Sequence, residues 1–242
     1  MKSNIEHKIY SSEDQFRLFK SFAESMKLPL MQIARSAELS YESGDVKSLQ
    51  NLAIAADTLE NMIDNYLLSL QLQAEGDQLI LSPISLGAAL DDVAHALDKK
   101  ARKYSCDIEL TIAGKYGPVL AHPAGLRAAL VSIGTVLIDA QNQQQKPKRQ
   151  VITLAAHRTR YGIVAGMFSD VAGIDTKSFN NSKNLYGNAT QPLAQLTSAS
   201  GAEIYIANSL LSTMTSGLRS ARYQKLNGLA ATFTPSQQLS LV

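Results

Sequence analysis

The sequence predicts an α+β protein: an N-terminal antiparallel helical hairpin followed by a two-layer α/β sandwich. Three observations carry this. Apolar residues recur at intervals of three and four through two long segments before Gly76. A turn-forming stretch, Tyr41-Glu42-Ser43-Gly44-Asp45, separates those segments. After Gly76, short strand-like runs take turns with longer helical stripes, the pattern of helices packed on a sheet.

In the first segment, residues 14–39, one helical face collects Phe19, Phe22, Ala23, Met26, Leu30, Ile33, Ala34 and Ala37. Ser12 fits an N-cap, with Gln15 three residues on as its capping-box partner. The second stripe runs Leu49, Leu52, Ala53, Ala56, Leu59, Ile63, Tyr66, Leu67 and Leu70, and Gly76 is a suitable stop. Two long amphipathic helices joined by a short turn form a hairpin. Each has one neighbour only, so apolar surface stays uncovered. A second copy would cover it as a four-helix bundle about a twofold axis. Burying about 600 Å² per subunit would contribute roughly 15 kcal/mol before association costs. A homodimer is therefore expected; the alternative is that the C-terminal half packs over the stripe.

The rest of the chain reads as a strand at 78–83 ended by Pro83, a helix at 85–102, and strands at 107–112 and 119–120. A helix opened by Pro123 runs to about Ala140, and a polar loop fills 141–150. Strands follow at 151–157 and 163–169. Residues 170–189, rich in Gly, Asn and Ser, are irregular; a helix at 192–200 leads through Gly201 into a strand at 203–207. The expected domains are a dimerisation hairpin at 1–76, the sandwich at 77–226, and a small, polar, loose tail at 227–242.

Composition removes several function classes. The chain has 242 residues, with 23 basic and 21 acidic side chains for a net charge of +2, so nothing points to nucleic acid or an acidic membrane as partner. The basic run Lys99-Lys100 with Arg102-Lys103 sits at a helix end and complements the dipole there. No apolar run reaches the ~20 residues of a membrane span, and the polar first twenty residues do not resemble a secretory signal. A cytoplasmic protein is the expectation. Cys106 is the single cysteine, which leaves no disulfide or cysteine metal cluster. The four histidines include no pair at i, i+4, so no metal site is expected. Nor does any Gly-x-Ser-x-Gly nucleophile motif appear.

The order of elements over roughly residues 14–225 resembles the core of a sensor histidine kinase, a dimerising hairpin followed by a Bergerat-type ATP-binding domain. Local matches support it. Pro29-Leu30 is similar to the Pro-Leu pair after that family's phosphoacceptor histidine, and implies a mild kink in the first helix. Residues 121–130, Ala-His-Pro-Ala-Gly-Leu-Arg-Ala-Ala-Leu, resemble the lead-in to the asparagine box. Residues 168–174, Phe-Ser-Asp-Val-Ala-Gly-Ile, resemble the loop whose aspartate reads adenine, which implies a nucleotide site at Asp170, Gly173 and Gly187. Residues 196–206, around Ser200-Gly201-Ala202-Glu203-Ile204, resemble the last helix and its exit into a strand.

The departures from the family fall on its chemistry. Glu24 occupies the phosphoacceptor position, and a carboxylate cannot form the N-phosphate that an imidazole forms. Ser25 stands for its acidic neighbour. The two asparagines become Ser132 and Val136, and an isopropyl group offers no oxygen to Mg²⁺. The first glycine loop keeps Asp170 and Gly173 with wrong spacing; the second, at Gly187-Asn188-Ala189, loses a glycine, so backbone amides approach phosphate less closely. With nucleophile, metal ligand and both glycine loops altered, the resemblance implies a pseudokinase adaptor with no bound cofactor. Its bundle face at Phe22, Met26, Leu30 and Ile33 would dock a partner such as a response-regulator receiver domain. The alternatives are an active histidine kinase with divergent motifs, in which Asp139 supplies a metal oxygen for Mg-ATP, a phosphotransferase, and a purely structural dimer. The phosphotransferase needs a histidine on the bundle, and residues 16–73 contain none.

Overall fold

The computed structural model describes residues 12–44, 46–144, 150–170, 200–215 and 217–236. Helix α1 spans Ser12–Ser43 without interruption through Pro29, and α2 spans Val46–Glu75. Between them Gly44 takes φ +64° and its N–H donates to Ser40 O at 3.0 Å, a left-handed helix stop that a residue with a Cβ adopts less readily. The hairpin is zipped near its open end by aromatic rings. Phe22 stacks on Tyr66 with centroids 4.2 Å apart and planes 8° from parallel, and both are buried.

The second region starts with β1 (Ser82–Ile84), which pairs antiparallel with β3 (Val119–Ala121). Between those strands come α3 (Leu86–Lys103) and β2 (Cys106–Ala113). Ser85 caps α3, its hydroxyl accepting from Ala88 N, and Leu86, Leu90, Val93, Leu97 and Ala101 bury one stripe at helical spacing. Next are α4 (Pro123–Gln144), β4 (Gln150–Thr159), β5 (Gly162–Ser169), α5 (Ser200–Ser212), β6 (Arg219–Tyr223) and β7 (Leu226–Phe233). The main sheet has the order β2-β4-β5-β7-β6. Only β2–β4 is parallel, joined by the crossover through α4; the other neighbours are antiparallel.

The α+β architecture, hairpin first and sandwich second, is as expected. Several elements differ from the sequence reading. The first strand lies a few residues later, because Gly76–Gln78 forms a 3₁₀ turn. Helix α4 continues to Gln144, into the expected polar loop. Residues 203–207 are not a strand but the body of α5. Ile204 and Ile206 alternate with polar residues over too short a run to separate the two periods, and the helix is buried on most sides, which hides its own period. The described part of the expected tail is not loose: Leu226–Phe233 is an inner strand between β5 and β6. Its small residues answer to packing. A Cβ on Gly228 would lie 2.0 Å from Met167 O on the neighbouring strand. The expected helix at 192–200, apart from Ser200, lies outside the described residues.

One continuous core runs from the sheet through α3, α4 and α5 to the hairpin, where Phe22, Met62, Tyr66 and Leu72 join it. Helix α5 packs against α1, α2 and α4. Thus the sandwich covers part of the hairpin, while Leu30, Met31, Leu39, Tyr41, Val46 and Leu49 stay exposed. Helix α4 is the one described helix long and apolar enough to cross a membrane, and 72% of that window is buried inside the fold, which marks it as a core helix.

Candidate functional site

The family-like positions Ser132 and Val136 lie on α4. His122 caps that helix: its Nδ1 accepts from Gly125 N at 3.1 Å. Leu126, Leu130, Ile133 and Leu137 of the same helix are buried in the core. On the turns between them sit Ser132, Thr135 and Val136. Val136 is fully buried, and its side chain presents hydrocarbon where a metal site needs oxygen. Ser132 is buried and accepts a hydrogen bond from Asn65 Nδ2 of α2 at 3.0 Å. Gln73 Nε2 of α2 likewise donates to Ser209 Oγ of α5. Helix α2 is therefore tied by side chains to both α4 and α5.

Asp139, offered by the sequence as a substitute metal ligand, is occupied. Its carboxylate holds Lys100 Nζ of α3 at 2.9 Å, both groups largely withdrawn from water. A second α3 lysine, Lys99, reaches Asp57 of α2 at 3.1 Å on the exposed rim. Among the described residues no three His, Cys, Asp or Glu side chains group to hold a metal ion.

Glu203 on α5 was not singled out by the sequence reading. It is 6% exposed, and burial pushes its carboxyl up to about 8, with Lys100 pulling down and Asp139 pushing up by smaller amounts. It lines a cavity of about 140 Å³ shared with Asn61 and Asn65 of α2, Lys99 and Lys100 of α3, and Ser132 and Thr135 of α4. That space is below the roughly 300–1,000 Å³ of ordinary small-molecule sites.

Asp170 follows the last residue of β5 and is exposed. Gly173 and Gly187, its expected companions, lie outside the described residues. Glu24 is exposed on α1. Of the expected docking residues, Phe22 is turned inward onto Tyr66, Met26 and Ile33 are half-buried, and Leu30 faces out. A partner on this face would meet Leu30 rather than Phe22.

Cys106, His95 and His157 lie outside the lining of the Glu203 cavity. The Cys106 thiol donates to Gln141 Oε1 at 3.0 Å, and burial pushes it up to about 11, so it stays a thiol at neutral pH. His95 is exposed on α3, raised first by its hydrogen bond to Asp91 O and then by the Asp91 charge. His157 on β4 lies 5.8 Å from the Tyr223 ring and is lowered, first by burial. His7 lies outside the described residues.

No family model matches the chain, and no curated protein sequence matches it. Solved structures do match. The histidine kinase AdeS of Acinetobacter baumannii superposes with a TM-score of 0.55 at 10% identity, over 88% of this chain and 97% of that one. The histidine kinase ThkA, solved in complex with the response regulator protein TrrA, gives 0.54 at 11% identity, over 88% of this chain and 60% of that one. Full-length ShkA in complex with AMPPNP gives 0.52 at 15% identity, over 90% of this chain and 46% of that one.

The fold is that of a histidine kinase core. It extends over most of this chain, hairpin and sandwich together. With that fold in place, Ser200–Ser212 is the helix before the last two strands, so residues 200–204 open a helix instead of leaving one. The exit into a strand comes at Gly217-Leu218-Arg219, where Leu218 N donates to Asn208 Oδ1 at 3.0 Å.

Glu203 was legible in principle. It is the one charged residue in the helix Ser200–Ser212, but that anomaly shows only once the segment is read as helical.

Proposed function

We propose that this chain is a histidine-kinase-like signalling protein that works by binding: a homodimeric pseudokinase adaptor that receives a response-regulator receiver domain on its hairpin. The observation that carries this is the substitution of Val136, fully buried in α4, at the family's metal-ligand position. Without a divalent cation the transferring phosphoryl group loses its main charge stabilisation. Two further facts support it. The hairpin has Glu24 where an imidazole would accept phosphate, and it contains no histidine. Asp139, the substitute ligand the sequence offered, is held by Lys100.

The ThkA structure, a kinase of the same fold bound to a response regulator, supports the kind of partner. A cytoplasmic location belongs to the same reading, since receiver domains are met there.

The test is direct. Isothermal calorimetry with Mg-ATP on the full chain should give no heat of binding at micromolar concentrations. Incubation with γ-labelled ATP should leave the protein unlabelled. Label that is stable to alkali and lost in acid, as a phosphohistidine is, would replace the adaptor by an active kinase.

A further inference from the structure

Strand β2 closes the main sheet on one side, and among the described residues β4 is the one strand that pairs with it. Its outer side therefore presents a row of backbone N–H and C=O groups. Proteins usually blunt such an edge with a short strand, a lysine, a proline or a bulge. β2 has none of these. It is eight residues long, reads Cys-Asp-Ile-Glu-Leu-Thr-Ile-Ala, and keeps register with β4 residue for residue from Cys106 on Gln150 to Ala113 on His157. The opposite edge is built differently: β6 has five residues and carries Arg219 and Arg222.

The two faces beside the β2 edge differ, because side chains alternate along a strand. Ile112 Cδ1 lies 3.1 Å from where a Cβ on Gly87 of α3 would be, so Ile108, Leu110 and Ile112 share the face toward α3. Helix α3 does not finish covering them: Leu110 and Ile112 are 39% and 41% exposed. Glu109 and Thr111 take the other face, and Glu109 is exposed. A strand laid beside β2 would cover the apolar row with its own apolar side chains and set its alternate residues against Glu109.

Charge along the edge selects the sign of those alternate residues. Asp91 comes one turn after Gly87 and Asp98 two turns further, so both stand on the flank of α3 that Gly87 occupies. The exposed His95 registers the field there: it is raised first by its hydrogen bond to Asp91 O, then by the charges of Asp91, Asp92 and Asp98. Arg102 is taken up by Asp98 at 2.8 Å. Lys99 and Lys100 reach away from the edge, to Asp57 of α2 and Asp139 of α4. The edge is acidic, and two copies placed edge to edge would bring the same acids together.

We propose that β2 receives, by strand addition, an extended segment of another protein in which lysine or arginine alternates with apolar residues, as a further strand of the five-stranded sheet. Main-chain hydrogen bonds hold the segment, its apolar residues lie beside Leu110 and Ile112, and its basic residues answer Glu109. The edge belongs to the sandwich and not to the hairpin, so it is independent of the adaptor reading: label from ATP would defeat that reading and leave this one standing.

The probe is an acetylated, amidated peptide of alternating lysine and valine, as long as β2. One control has the same composition with the lysines in a single block; the other has glutamate for lysine. Fluorescence anisotropy with the full chain reads affinity, and amide hydrogen exchange reads the place. The alternating lysine peptide should bind roughly tenfold or more tighter than either control, and amides within 106–113 should gain protection. Glu109→Lys, at an exposed edge position, should weaken the lysine peptide severalfold and strengthen the glutamate one. Leu110→Lys puts a guarding charge on the edge and should abolish the protection. No binding of the alternating peptide, equal binding of the block control, or protection that leaves 106–113 unchanged would each overturn the proposal. So would protection of 106–113 that rises with the concentration of the chain alone, which would give the edge to a second copy.

Discussion

Asn65 on α2 and Ser132 on α4 meet at 3.0 Å, the asparagine amide donating to the serine hydroxyl across 67 positions of sequence. The hairpin is thereby bonded to the helix that, in the kinase-like reading, would face nucleotide. The pair is half-buried, so losing it should cost about 1 kcal/mol. Asn65→Ala should lower stability by that amount in urea unfolding and raise proteolytic cleavage in α2. Ser132→Ala should have a similar cost, and the double variant should cost less than the sum, since the two residues share one interaction.

Restoring the family's asparagine should not restore chemistry. Val136 is fully enclosed by apolar neighbours, so Val136→Asn places an amide where no partner waits. A cost of about 1–3 kcal/mol is expected. Calorimetry with Mg-ATP should stay flat, and γ-labelled ATP should leave no label, because the hairpin still lacks a histidine.

The hairpin was legible from spacing alone because apolar residues recur at helical intervals along both helices, although Phe19, Leu30, Leu49 and Leu67 of those stripes are exposed in the single chain. Leu86, Leu90, Val93 and Leu97 made α3 legible in the same way. Helix α5 was not, because it is buried against α1, α2 and α4 and its apolar residues go all round. β7 was hidden by its smallness: Gly228, Ala230 and Ala231 resemble a linker, yet the close neighbouring strand requires small residues there. Within the candidate site, Ser132, Val136 and Asp170 follow from linear motifs. The Asn65–Ser132 and Lys100–Asp139 pairs join residues far apart in sequence, and no local pattern marks such partners.

Glu203 should make stability fall as pH rises. Its carboxyl titrates near 8 in the fold, against an ordinary value of 4.5. Between those values the folded state holds a proton that the unfolded state has released, so stability declines steadily across that window. The contribution is full below about pH 4.5 and is lost progressively up to about pH 8. Each pH unit crossed removes about 1.4 kcal/mol at most, so the whole effect is on the order of a few kcal/mol. Glu203→Gln, which stays neutral, should flatten the profile and be the more stable protein at pH 8. Urea midpoints at pH 5, 6.5 and 8 decide it; parallel profiles for the two proteins would remove Glu203 from the account.

Phe22 and Leu30 lie on the same helix and should behave oppositely. Phe22 is buried on Tyr66 inside one hairpin, so Phe22→Ala should cost about 3–5 kcal/mol whatever the protein concentration. Leu30 and its neighbour Met31 are exposed, with Leu39, Tyr41, Val46 and Leu49 bare further toward the turn. In the proposed dimer those residues are the covered face. Leu30→Glu with Met31→Glu should therefore leave the unfolding of a single chain within about 0.5 kcal/mol of the parent while weakening self-association tenfold or more. Sedimentation velocity over a range of concentrations reads the second quantity directly. A parent protein that sediments as a monomer at tens of micromolar, on the order of 10⁻⁵ M, would leave the bare face to the receiver domain alone.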